Sequence, residues 1–199
     1  MTRLRILTVV MAAVFTACIG RSENNDNAAL ENIMTRTSIR QYTDQPVEQE
    51  KVEAMLRAGM AAPTAVNAQP WHFVVINDKT KLNELAAANP RARMLKTAPL
   101  AIVVCGDMTK AMEGKGQAYW IQDCSAATEN ILLAAHALGL GAVWTGVYPM
   151  EDRMQPISET LKLPASIIPL CTIVIGYPAE QPKPKDKWKS ENISYNEYK

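Results

Sequence analysis

Histidine and cysteine are too scarce and too scattered here to build a metal site. The two histidines stand at positions 72 and 136, and the four cysteines include no CxxC pair. Beyond Cys18 the cysteines are Cys105, Cys124 and Cys171, an odd number, so no disulfide framework is indicated. Cys105 and Cys171 lie inside apolar runs and read as small buried hydrophobes. A GxGxxG or Walker loop is absent, as are a nucleophile–base pair and a paired-carboxylate motif. Charge of one sign is not in excess either, with 21 Lys and Arg against 20 Asp and Glu. That balance excludes the basic face that binding a nucleic-acid backbone requires, so no nucleic acid is expected as a partner. There are no internal repeats and no low-complexity tracts.

What is present is a chain of 199 residues, 48% hydrophobic and 21% charged, enough for one domain with a substantial core. Its first residues stand apart. "MTRLR" is basic, "ILTVVMAAVF" is apolar and "FTAC" ends on Cys18. This is the pattern of an export signal, and the apolar run is shorter than the roughly 20 residues of a membrane-spanning helix. The ending resembles a bacterial lipobox, with Phe15 where Leu is more usual, which would make Cys18 a lipidated N-terminus anchored in the cell envelope. The division expected is 1–18 signal, 19–27 polar tether and 28–199 folded domain. Processing would remove Arg3 and Arg5 and no acid, leaving 19 bases against 20 acids, a net charge of −1. A buried N-terminal helix or a misplaced start codon are the alternatives, in which case the protein is cytoplasmic. Arg3 and Arg5 are separated by Leu4, so there is no twin-Arg pair for exporting a folded holoprotein.

From Ala28 the pattern alternates helix and strand. "ALENIMTRTSIR" carries Leu30, Ile33 and Met34 at helical spacing, and "PVEQEKVEAMLRAGM" puts Val52, Met55, Leu56 and Met60 on one face. Residues 71–76 read as a strand, and "DKTKLNELAAA" as a short helix capped by Asp78. Residues 99–107 are so uniformly apolar that they predict a strand buried on both faces. The longest helix is expected over 116–138, with Ile121, Cys124, Ala127 or Thr128, Ile131, Ala135 and Leu138 as its stripe and Gly139 as its stop. A strand at 142–144 leads into a turn, a helix broken or restarted near Pro156 follows, and "IIPLCTIVIGYP" is the last central strand. The Pro/Lys segment beyond Tyr177 predicts an extended arm. Its Trp188, Ile193, Tyr195 and Tyr198 suit an arm that packs on something, such as a second subunit, better than a solvated tail.

Polar groups gather at four element ends. Arg36 and Arg40, with Ser38 between them, would share a face if they sit on a helix end. The loop from Pro63 to Gln69 offers amides, Trp144–Thr145–Gly146 offers backbone donors, and Lys183, Lys185 and Lys187 line the arm. One ligand that uses all of these is flavin mononucleotide (FMN). Its phosphate calls for charge-assisted donors, its imide edge for a group that both donates and accepts, and its reduced ring for a nearby cation. Taken singly, each feature also has an ordinary reading: a surface salt bridge, a structural turn, solvated lysines. Composition and spacing alone lead to a mixed helix–sheet domain that binds an anionic cofactor, and no further.

Taken in order, "RTSIRQY" (36–42), "APTAVNAQPWHFVVI" (62–76), "LLAAHALGLGAVWTGVYP" (132–149) and "IGYPAEQPKPKDK" (175–187) resemble the nitroreductase family of FMN-dependent oxidoreductases. The resemblance runs from about residue 28 to residue 198. It implies an α+β fold with a mostly antiparallel central sheet flanked by helices, in an intertwined homodimer with an exchanged C-terminal arm and FMN at the subunit interface. By motif, Arg36 and Ser38 match the phosphate end and Arg40 the pyrimidine edge. Pro63, Thr64, Ala65 and Asn67 match a loop supplied by the other subunit. Trp144, Thr145 and Gly146 match the segment over the ring, with Gly146 allowing close backbone approach. Lys185 and Lys187 match basic phosphate ligands, the latter where Arg is commoner, and Thr64 stands where Ser is frequent. The chemistry implied is ping-pong electron transfer from NADH or NADPH to a nitroaromatic, quinone or similar planar acceptor. No side chain need serve as catalytic acid or base, because the flavin carries the chemistry. The alternative is a surface-anchored flavin-binding lipoprotein without NAD(P)H turnover.

Overall fold

A computed structural model describes residues 27–198; the export signal, the Cys18 lipobox and all of the proposed tether but Asn27 lie outside the described residues. The elements in chain order are α1 (Ala28–Thr35), α2 (Gln49–Met60), β1 (Trp71–Ile76), α3 (Lys79–Ala88), β2 (Leu100–Asp107), α4 (Tyr119–Ala137), β3 (Gly141–Gly146), α5 (Glu151–Leu161) and β4 (Ile167–Gly176). The four strands form one sheet in the order β1-β2-β4-β3, and every neighbouring pair is antiparallel. β2 is buried along its whole length, as its unbroken apolar run predicts.

Strand alternation divides the core. Ile102, Val104 and Ile173 face a cluster with Met55 of α2 and Ile131 of α4, while Val103, Cys105 and Val174 face Leu82 and Leu85 of α3 and Ile157 of α5. The sheet is thus covered by α2 and α4 on one side and α3 and α5 on the other. Asp78 caps α3 as expected, its side chain accepting the Lys81 N–H at 2.9 Å. All three described cysteines are free and buried. Burial pushes the thiols of Cys105 and Cys171 up to about 12 and that of Cys124 higher still, so they act as packing groups.

Several expectations are corrected. The first helix ends at Thr35, and Arg36 is already extended, with φ −57° and ψ 129°. The following residues pair as an edge: Ser38 bridges Ala142 in parallel, and the Ile39 N–H donates to Ala142 O at 3.1 Å. Arg36, Ser38 and Arg40 are therefore carried on a non-helical segment bridged to β3, not brought together by a helical turn. Met60 is 55% exposed; at the end of α2 the buried place falls to Gly59, where a Cβ would lie 2.9 Å from Ile131 Cγ1. α4 starts at Tyr119 because Gly114–Gly116 form a separate 3-10 turn, and its buried stripe begins at Trp120 rather than Ile121. Trp120 lies against Gly106, where a Cβ would come 2.3 Å from Trp120 Cε3. α5 continues through Pro156, since the carbonyl that loses its donor is that of Asp152, on an exposed first turn open to water. β3 runs to Gly146, beyond the expected turn.

Candidate functional site

The extended run that begins at Arg36 forms one wall of a cavity of about 680 Å³, and the C-terminal arm forms another. Arg36, Ser38 and Arg40 line it from one side and Lys183, Lys185 and Lys187 from the other, with Glu129 and Asp186 the carboxylates present. Five cations against two carboxylates make the space attractive to an anion. Arg36 is held by Glu129 of α4, Nε to Oε1 3.4 Å. The aromatic side chain of Trp188, the apolar Ile33, Met34 and Pro182, and Thr37 complete the lining. Such a mixture suits a ligand with an anionic end and an apolar body.

A second cavity of about 540 Å³ adjoins the first and shares Ser38, Arg40 and Pro182 with it. It adds Arg93, which the motif reading did not single out. Arg93 belongs to a 3-10 turn, Pro90–Lys96, that follows the breaker pair Asn89-Pro90. The available signal was the basic run "RARMLK" behind that breaker. Arg40 therefore has a second guanidinium bordering its cavity.

The loop 63–69 is built differently. Ala65–Asn67 make a 3-10 turn, and Val66, Asn67 and Gln69 all have positive φ, at 46°, 58° and 50°. Left-handed backbone at three of four consecutive non-glycine positions is costly and requires support. The Ala65 N–H donates to the buried Asp123 at 2.9 Å, the Gln69 N–H to the Thr64 hydroxyl at 3.2 Å, and the Gln69 amide to Asn67 Oδ1 at 2.9 Å. Gln69 thus serves the loop itself. The result presents Val66, 78% exposed, and Asn67 to the outside. Asp123 is a second residue the motif reading missed; a lone acid within an apolar helical stripe was its signal.

Within one chain, Pro63, Thr64, Ala65 and Asn67 do not line the arginine-bearing cavities. Their anchor, Asp123, lies six residues before Glu129 on α4, about 9 Å along the axis and on a different face. Trp144, Thr145 and Gly146 are also outside those linings. They belong to β3, an edge strand, where Trp144 and Gly146 are exposed and Thr145 points inward, its hydroxyl donating to Thr172 O at 2.8 Å. The Thr145 side chain is therefore committed to the fold. The Gly146 carbonyl accepts from Arg153 Nη1 at 3.1 Å, and a Cβ at Gly146 would meet nothing within 4 Å. Packing inside the chain does not demand a glycine there.

The nitroreductase family profile matches residues 33–91 and 83–177. A protein of Methanothermobacter thermautotrophicus, named by inference an NADH dehydrogenase/NAD(P)H nitroreductase, is 47% identical over 164 residues, covering 82% of this chain and 84% of its own. A crystal structure from Bacteroides thetaiotaomicron, named in the same way, superposes with a TM-score of 0.82 at 51% identity, covering 86% of this chain and 99% of that one. An FMN-dependent nitroreductase from Clostridium difficile superposes with a TM-score of 0.78 at 34% identity, over 84% and 99% of the two chains. With its four-stranded antiparallel sheet, flanking helices and these matches along most of its length, the chain belongs to the nitroreductase family.

Proposed function

We propose that the protein is an FMN-dependent oxidoreductase that takes electrons from NADH or NADPH and passes them to a nitroaromatic, quinone or similar planar acceptor. The observation that carries this reading is the cavity where Arg36, Ser38 and Arg40 face Lys183, Lys185 and Lys187. Its donors fit FMN chemically: guanidinium, ammonium and hydroxyl groups for a phosphate, and a second cationic region around Arg40 and Arg93 for an electron-rich ring edge. Arg36, Ser38, Lys185 and Lys187 would hold the phosphate end, and Arg40 with Arg93 the pyrimidine edge. When bound, FMN supplies the acceptance and onward delivery of the hydride's two electrons. The protein's part is to bind, orient and supply positive charge.

A homodimer completes the reading. α1 buries none of its residues, leaving Leu30, Ile33 and Met34 in solvent, and the arm exposes Trp188, Tyr195 and Tyr198. A second copy accounts for these exposed groups and for the Val66–Asn67 tip. In such a dimer the loop of one subunit would reach the cavity of the other, where Asn67 would hold the imide edge and Trp144, Thr145 and Gly146 would serve the ring. Envelope anchoring through Cys18 is part of the same proposal; mass spectrometry of the protein from its native membrane would find a lipidated Cys18, or else an unprocessed Met1.

Steady-state kinetics test the function. Double-reciprocal plots at several fixed concentrations of a quinone acceptor should give parallel lines, the mark of a donor that leaves before the acceptor binds. Intersecting lines would overturn the ping-pong order, and no NAD(P)H oxidation with any acceptor would overturn the enzyme.

A further inference from the structure

The arm starts where β4 ends, and its root is laced to the segment bearing the arginines. The Thr43 N–H donates to Tyr177 O at 2.9 Å, Tyr42 pairs with Pro178, and the Ala179 N–H donates to Gln41 O at 2.9 Å. At the next step a side chain takes over from the backbone. The N–H groups of Arg40 and Gln41 both donate to Glu180 Oε1, at 2.5 and 3.1 Å. Both bonds are charge-assisted, roughly twice as strong as neutral ones. Glu180 is also the last arm residue with partial burial; 181–198 are all exposed. It is therefore the point at which the arm's course towards Lys183–Lys187 is set. Glu180 also lines the cavity that Arg40 shares with Arg93.

We infer that Glu180 is a positioning residue for FMN. It is not part of the larger cavity's lining, but by accepting the N–H groups of Arg40 and Gln41 it sets the arginine-bearing segment and the lysine-bearing arm at the spacing a phosphate needs. This rests on the FMN reading above and adds a residue to it. Glu180 acts here as a hydrogen-bond acceptor, so an amide oxygen in the same place should serve.

The test compares Glu180→Ala, Glu180→Gln and the unaltered protein by two readouts. The first is the FMN dissociation constant of the flavin-free protein, measured by quenching of FMN fluorescence. The second is the rate of tryptic cleavage after Lys185, Lys187 and Lys189 without FMN. Glu180→Ala should weaken FMN binding on the order of tenfold and speed cleavage of the arm, with Glu180→Gln restoring both. Ala matching the unaltered protein in both readouts, or Gln as impaired as Ala, would overturn the inference. An unaltered protein that binds no FMN would defeat the functional reading instead, and the cleavage comparison would still decide whether Glu180 holds the arm.

Discussion

Asp123 and Ala65 are joined across 58 residues of sequence by a 2.9 Å hydrogen bond, from the Ala65 N–H to the buried carboxylate on α4. This bond steadies a loop whose next residues adopt left-handed backbone. Replacing Asp123 with Ala should cost about 1–3 kcal/mol of stability, the range for a buried polar group left without its partner. FMN retention should fall as well, with Asp123→Asn milder on both counts because its amide oxygen can still accept. Denaturant melts and flavin content after gel filtration measure the two effects.

If the site draws Arg36 from one subunit and Asn67 from the other, two damaged chains can repair each other. Arg36→Ala and Asn67→Ala homodimers should each lose flavin on purification. Mixed under subunit-exchange conditions, they form a heterodimer with one doubly damaged site and one intact site. Flavin binding should recover towards one site per heterodimer; no recovery would place both residues in a site within a single chain.

Gly146 and Gly106 should separate ligand effects from packing effects. A Cβ at Gly146 meets nothing within 4 Å, so Gly146→Val should leave the melting temperature of the flavin-free protein within a few degrees while weakening flavin binding. A Cβ at Gly106 would meet the Trp120 ring at 2.3 Å, so Gly106→Ala should cost about 1–3 kcal/mol of stability. Thermal melts with and without FMN distinguish the two.

The buried thiols should weaken the fold as pH rises. Cys105 and Cys171 rise from an ordinary 9.0 to about 12, chiefly through burial, and Tyr42 is raised in the same direction. The unfolded chain ionises first as pH rises, so the contribution of the neutral thiols is complete below about 9 and is lost between there and about 12. Urea midpoints should fall from about pH 8 to about pH 11, and iodoacetamide should label these cysteines only after unfolding. At the acid end Asp107 behaves oppositely. The Thr109 hydroxyl and N–H, at 2.6 and 3.0 Å, hold its carboxyl below the ordinary 3.8, and its contribution is lost as pH falls through that lowered value.

The strongest sequence signals were local ones. β1, β2, the Asp78 cap and the extended arm follow from apolar runs, a capping residue and proline spacing, and each stands where the residues put it. What the sequence hid depends on distant partners. Arg36–Arg40 is extended because Ser38 and Ile39 pair with Ala142 on β3, and no local period announces that contact. α5 holds Pro156 with the carbonyl it leaves without a donor, that of Asp152, on an exposed residue. Among the candidate site residues, Arg36, Ser38, Arg40, Lys185 and Lys187 were legible as cations and a hydroxyl in motif order, and the folded chain lines one cavity with them. Arg93, Asp123 and Glu180 were not, because their contacts depend on which backbone or cavity the folded chain sets beside them.

The most direct test of the central claim is a visible absorption spectrum of the purified protein, recorded anaerobically before and after addition of NADH and then NADPH. Flavin bands near one per chain that bleach with either nucleotide are the result predicted. A protein that stays colourless after incubation with excess FMN and gel filtration, or flavin bands that neither nucleotide bleaches, would contradict it.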